Sequence, residues 1–224
     1  MKLLDVACGT GVVALTASRL GVEVEGIDLT PELISRAIEN SKIMGLKAKF
    51  VEGDAECLPY KENEFDVILS QYGHMFAPRP AVVVKELARV LKPGGILAFS
   101  TWPKELFMGK FFKLIESFSQ PLPSEVASPV LWGDMAVIED RLKNHFHQIE
   151  FGRDTMFAPT MSPAHMLKLF EKNAGPLANL VKALADDPAK LSNLRNAALL
   201  LIEKFFSNNF LRQDFLMTRC VKKT

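Results

Sequence analysis

An α/β fold with a mostly parallel sheet and helices on both faces is predicted by three features of the sequence. Short β-branched runs alternate with amphipathic stretches between Leu3 and Ser100. The first run opens directly into a glycine-rich turn, Cys8-Gly9-Thr10-Gly11. Glycine and proline punctuate the ends of the amphipathic stretches. Strands joined by helical crossovers run parallel, and right-handed crossovers place helices on both faces.

Leu3 to Ala7 is an apolar run and reads as the first strand. Val12 to Leu20 reads as a helix that Gly21 ends, because glycine adopts the left-handed conformation of a helix C-cap without strain. Val22 to Ile27 is the second strand. Thr30 caps the next helix, with Pro31 at its first position, where a missing N–H costs nothing. Leu33, Ile34, Ala37 and Ile38 follow helical spacing, and Gly45 stops it. Lys49 to Glu52 is a short third strand and Val67 to Ser70 a fourth. Arg79 to Leu91 is a helix with Val83, Leu87, Val90 and Leu91 on one face. Lys92-Pro93-Gly94-Gly95 breaks it before a fifth strand, Ile96 to Ser100.

The second half reads differently. Glu105 to Ser119 and Asp134 to Lys143 are helices, separated by a proline-rich loop at 120–129. Phe146 to Phe151 and Asn209 to Val221 are strand-like. Between them the breakers Gly175-Pro176 and Asp187-Pro188 divide a leucine- and alanine-rich stretch into three helices. The expectation is one domain over 1–224 with a helical insert or cap at 153–208.

Composition narrows the function. Lys and Arg number 27 against 26 Asp and Glu, so bulk electrostatics offers nothing to nucleic acid or an anionic membrane. No apolar run approaches the roughly 18 residues of a membrane span. Cys8, Cys57 and Cys220 are too few and too scattered for a disulfide framework or a zinc site. Reduced thiols and a cytoplasmic location follow as the expectation. His145 and His147 are read as lacking acidic partners for a metal, so none is expected.

Ligands of open parallel sheets bind beyond the C-terminal strand ends. After the first strand stands Asp5-x-Ala7-x-Gly9-x-Gly11; after the second, Asp28; after the third, Gly53-Asp54-Ala55; after the fourth, Ser70-Gln71-Tyr72-Gly73-His74. Small residues let the backbone approach a ligand, and a carboxylate after the second strand suits ribose hydroxyls. Gly9-x-Gly11-x-x-Ala14 with Asp28 also satisfies a dinucleotide fingerprint, so NAD and S-adenosylmethionine (SAM) tie on that motif alone. Asp5 inside the glycine motif repels a pyrophosphate but suits the cationic ammonium of SAM. Asp54 adds an acceptor for an adenine amine. The C-terminal strand–helices–strand pattern is no second mononucleotide-binding half.

The ordered segments resemble the class I SAM-dependent methyltransferases, in the group related to the ubiquinone and menaquinone C-methyltransferases. They are 4–11, Gly26-Ile27-Asp28-Leu29-Thr30, Gly53-Asp54-Ala55-Glu56-x-Leu58-Pro59, Phe65-Asp66-Val67-Ile68 and Glu86-Leu87-Ala88-Arg89-Val90-Leu91-Lys92-Pro93-Gly94-Gly95. The resemblance implies a Rossmann-like, seven-stranded, mostly parallel sheet whose last strand is antiparallel and lies beside the fifth. It also implies SAM contacts at Asp5, Ala7, Gly9, Thr10, Gly11, Asp28, Leu29, Asp54, Ala55, Ser70 and Gln71. Members carry some tens of residues before the first strand, where this chain has two. An open pocket, weak SAM affinity, and a lid from the helical insert or a homodimer partner are the resulting expectations.

Methyl transfer from a sulfonium is an in-line displacement, in which the protein chiefly aligns the reactants. His74 and Tyr72 are the candidates for a base where the acceptor must lose a proton. Trp102 is a candidate aromatic wall. The acceptor expected is a small, lipophilic molecule. Two alternatives stay open at this point: an NAD(P)-dependent oxidoreductase and a non-catalytic SAM-binding subunit.

Overall fold

The computed structural model describes residues 1–121, 123 and 126–224. Part of the predicted loop at 120–129 therefore lies outside the described residues. The strands are β1 (Lys2–Val6), β2 (Glu23–Asp28), β3 (Lys49–Glu52), β4 (Phe65–Gln71), β5 (Leu91–Thr101), β6 (Phe146–Pro159), β7 (Phe206–Ser207) and β8 (Phe210–Lys222). The helices are α1 (Val12–Arg19), α2 (Pro31–Met44), α3 (Pro80–Val90), α4 (Phe107–Phe118), α5 (Met135–Leu142), α6 (Pro163–Asn173), α7 (Gly175–Ala183) and α8 (Pro188–Glu203).

The main sheet runs β3-β2-β1-β4-β5-β8-β6, and β7 pairs with β8. β1 to β5 are parallel, and β8 is antiparallel beside β5. The order reverses at β1, where β2 and β4 lie on either side. That is the switch point at which a crevice opens beyond the strand ends.

The prediction of one domain meets two compact units. The first comprises Met1–Thr101, Ser124–Gly152 and Leu216–Thr224; the second comprises Trp102–Pro123 and Arg153–Phe215. In the first, buried Leu3, Ala14, Leu15, Val24, Ile34, Ala37 and Phe50 bring α1 and α2 against β1, β2 and β3. Helix α3 buries Val83, Val84 and Leu87 and lies against β5 and α5. Each such side chain contributes about 1.5–3 kcal/mol by leaving water. The second unit, which holds the predicted insert and Trp102, has its own aromatic core. Phe107, Phe111, Phe170 and Phe205 join α4, α6 and the end of α8, with Phe111 and Phe170 centroids 5.0 Å apart.

Two boundaries differ from the sequence reading. Lys92-Pro93-Gly94-Gly95 lies inside β5 rather than between helix and strand. Phe65 pairs with Leu91 and Val67 with Ile96, so the extra residues bulge from the ladder. Gly94 takes φ +73° there, and Lys92 Nζ reaches Asp66 Oδ1 at 2.7 Å. β6 runs eight residues beyond Phe151, through a largely exposed half that no apolar run marks in the sequence.

Candidate active site

Left-handed backbone at alternate positions shapes the turn after β1. Ala7, Gly9 and Gly11 have φ of 55°, 53° and 83°. Only small residues take this conformation cheaply, which accounts for the x-Ala-x-Gly-x-Gly spacing. A Cβ on Gly9 would meet nothing within 4 Å, whereas one on Gly11 would strike the Phe50 ring at 2.8 Å. Gly9 thus borders open space, and Gly11 serves packing and the start of α1.

A cavity of about 580 Å³ opens beside this turn. Of the predicted residues, Ala7, Gly9, Asp28, Leu29, Asp54, Ala55, Gln71, Tyr72 and His74 line it. Thr30, Leu33, Glu56, Phe76, Ala77 and Pro78 line it as well, unanticipated from the sequence. Asp5, Thr10, Gly11 and Ser70 do not line it. Asp5, Gly11 and Ser70 are buried, and the Thr10 carbonyl accepts from the Asn40 side chain at 3.0 Å.

Each carboxylate is fixed by backbone. Asp28 Oδ2 accepts the Gly9 N–H at 2.8 Å and Oδ1 accepts the Thr30 N–H at 2.9 Å. One side chain thereby ties the end of β2 to the turn after β1 at the edge of the cavity. Asp54 Oδ1 accepts the Glu56 N–H at 2.8 Å, an Asx turn that sets the loop after β3. Asp5 Oδ2 accepts the Ala14 N–H at 3.0 Å, holding the start of α1. Burial pushes the Asp5 carboxyl up to about 7, against the opposing pull of the Ala14 N–H and with help from the Asp28 charge. Its Oδ1 has no partner among the described residues.

The wall after β4 is built differently. Ser70 Oγ donates to the Val6 carbonyl at 2.7 Å and so spends its proton. It then accepts from the His74 N–H at 3.3 Å and stands 3.1 Å from His74 Nδ1. Nδ1 must therefore carry the ring proton, which leaves Nε2 a bare acceptor. His74 is 1% exposed. Burial, and then the Arg141 charge, push its imidazole down to about 3, so the ring is neutral at physiological pH. Tyr72 has φ 62°. Burial raises its phenol to about 12, with a Ser100 hydrogen bond opposing.

These residues fit SAM. The cavity sits at the switch point, open space lies above Gly9, and the backbone-held Asp28 and Asp54 carboxylates offer acceptors for hydroxyl and amine donors. The Asp5 carboxylate, with Oδ1 unpartnered among the described residues, is buried at the end of β1 next to this turn. A strong signal went unused in the sequence: Glu56, Glu86 and Arg89 stand in the quoted segments without an assigned task. Glu86 Oε2 accepts the Leu58 N–H at 2.8 Å. Arg89 donates to the Leu58 and Tyr60 carbonyls at 2.9 and 2.7 Å. Together they clamp the loop after β3 onto α3.

Comparison with known proteins agrees with this geometry. A family model described as a methyltransferase domain matches residues 4–99. An uncharacterized protein of Mycobacterium tuberculosis is 31% identical over 217 residues, covering 96% of this chain and 79% of its own length. A 2-methyl-6-phytyl-1,4-hydroquinone methyltransferase of Synechocystis is 40% identical over 101 residues, 45% of this chain and 31% of its own. A methyltransferase structure from Bacillus halodurans, itself described as putative, superposes with a TM-score of 0.63 at 19% identity, covering 100% of this chain and 93% of that one. A phosphoethanolamine N-methyltransferase of Haemonchus contortus, solved with phosphomonomethylethanolamine and S-adenosylhomocysteine, gives 0.62 at 18% identity, over 100% and 49%. The oxidoreductase reading of the glycine motif gives way to the methyltransferase one. The chain belongs to the class I SAM-dependent methyltransferase family, whose chemistry is methyl transfer from S-adenosylmethionine.

Proposed function

We propose that the chain methylates a small, lipophilic acceptor beside the end of β4. The observation that carries this reading is the division of one cavity. Its β2 and β3 side presents the Asp28 and Asp54 carboxylates, and its other side presents Phe76, Ala77 and Pro78. When bound, SAM supplies an electrophilic sulfonium methyl group. Asp28 takes the ribose hydroxyls, Asp54 the adenine amine, and the Ala55 N–H a ring nitrogen. Gly9 lets the backbone lie close beneath the ligand. Ala7 and Leu29 line its sides, and Gln71 offers polar groups to the methionine end. Asp5, Thr10, Gly11 and Ser70 support these residues from behind.

His74, neutral and carrying its proton on Nδ1, orients rather than deprotonates. Tyr72, with its phenol raised, stays protonated. The chain itself thus favours an acceptor that is already nucleophilic at neutral pH, or one that loses its proton to water. Among the described residues no helix is long and apolar enough to cross a membrane. Cys8, Cys57 and Cys220 are free thiols, which supports a reducing, cytoplasmic setting.

The test is methyl incorporation from radiolabelled SAM into a panel of hydroquinones, phenols, carboxylates and amines. Transfer to apolar-substituted members supports the reading. Transfer confined to highly charged acceptors would sink it.

A further inference from the structure

One ion pair joins the two walls of the cavity. Glu56 lies in the turn after β3, two residues beyond Asp54, and its side chain is 3% exposed. Arg79 follows Ala77 and Pro78 on the facing wall, and its side chain is 62% exposed. Glu56 Oε1 accepts the Arg79 backbone N–H at 2.6 Å. Oε2 accepts the Arg79 Nε–H at 2.7 Å and lies 2.6 Å from Nη2. Arg79 is also the N-cap residue of α3, and its own side chain makes no capping bond. The Glu56 carboxylate therefore stands at the N-terminal end of α3, where the helix dipole favours negative charge.

The consequence reaches Asp54. The Glu56 N–H is the group that holds Asp54 Oδ1, so the position of the Glu56 backbone sets the angle of the Asp54 carboxylate. A buried carboxylate that loses its cation keeps its desolvation cost and moves toward water. Here that movement would carry the Asp turn with it. An exposed pair would be worth little, but this acceptor is sealed and receives a two-pronged donor that lysine cannot imitate.

We propose that Arg79 is a positioning residue for nucleobase recognition, acting through Glu56 on the turn that carries Asp54 and Ala55. The proposal rests on the assignment of Asp54 to the adenine amine. Arg79 touches neither reactant. Its effect falls on which purine the cavity prefers, because Asp54 accepts from a 6-amino group and repels a 6-oxo group.

The experiment is calorimetric titration of the full chain with S-adenosylhomocysteine and with its 6-oxo analogue, S-inosylhomocysteine. In the wild type the amino compound binds tighter. Arg79→Gln is expected to weaken S-adenosylhomocysteine about tenfold, roughly the loss of one charge-assisted bond, and to narrow the preference between the two ligands. Arg79→Lys falls between. Glu56→Gln, which removes the buried charge, narrows the preference less than Arg79→Gln. Asp28→Ala serves as the contrast: it weakens both ligands by the same factor.

An unchanged preference in a folded Arg79→Gln protein overturns the proposal, as does an equal loss for both ligands. Asp54→Asn separates the two levels. If it leaves the preference intact while Arg79→Gln alters it, the Asp54 assignment fails and the role of Arg79 stands. Melting curves of each variant report folding independently.

Discussion

The Asp28 and Glu56 carboxylates and the polar groups around Phe99 are both buried, yet they are satisfied in opposite ways. Asp28 takes a backbone N–H on each oxygen, and Glu56 takes three donors. Around Phe99 the pattern inverts. Its ring lies 4.5 Å from that of His74 and 5.6 Å from that of Trp132. Arg141 stacks on Trp132 at 4.5 Å, and Thr218 pairs with Phe99 across β8. Thr101, two residues along β5, shares that face. His74 Nε2, Thr101 Oγ1, Trp132 Nε1, Arg141 Nη1 and Thr218 Oγ1 all lack partners among the described residues. These atoms are buried, so each one left without a partner costs stability. Preorganisation is greatest at Asp28 and Glu56, and partnerless atoms gather around Phe99, while Asp5 Oδ1 stays unpartnered at the end of β1.

The strongest way to break the contrast is Asp28→Ala. It removes two backbone anchors and the ribose acceptor together, and S-adenosylhomocysteine binding should weaken by about 100-fold or more, close to the cost of two charge-assisted bonds. Titration calorimetry measures it. A change under threefold would mean the carboxylate is structural only.

Asp5 comes next, through pH. Its carboxyl is raised when folded, so the native state holds a proton that the unfolded chain releases. Stability should fall as pH rises from about 4 to about 7, by at most about 1.4 kcal/mol per pH unit from this group. Urea melts of the wild type against Asp5→Asn isolate that slope, and parallel curves would refute the assignment.

Much of the tied region was legible from the chain. Glycines and carboxylates at strand ends announce themselves because backbone conformation and ligand chemistry restrict those positions to few residue types. Glu56 and Arg79 escaped notice because their link is one of space. Twenty-three positions part them, and nothing local marks an arginine before a helix as the partner of a distant turn. The environment of His74 was equally hidden. A histidine after a strand reads as a candidate base, while its burial and the spent proton of Ser70 come only from the fold. The bulge in β5 was masked by Lys92-Pro93-Gly94-Gly95, which looks like a stop and behaves as an insertion within a strand.

Smaller effects sharpen the other side. Thr218→Val keeps the shape and deletes a partnerless hydroxyl, so the protein should gain about 1 kcal/mol in thermal or urea melting. A loss would show that the hydroxyl is satisfied after all. Least visible is His74 in catalysis. Its imidazole is held down when folded, so the wild type and His74→Gln should share one pH–rate shape between about pH 5 and 8. Its linkage appears in stability instead, which should decline as pH falls below 6.5 and the unfolded chain takes up the proton.

Gly73 and Ala7 meet where the turn after β1 faces the turn after β4. A Cβ on Gly73 would stand 2.3 Å from the Ala7 Cβ and 2.7 Å from its carbonyl oxygen. Ala7 is itself in left-handed backbone, where larger side chains are strained. Two positions far apart in the chain thus share one allotment of volume, and neither can grow at the other's expense. Descendants of this sequence are free to vary the acceptor wall, the bulge and the surface, but at this crossing they inherit a joint vocabulary of two of the smallest residues.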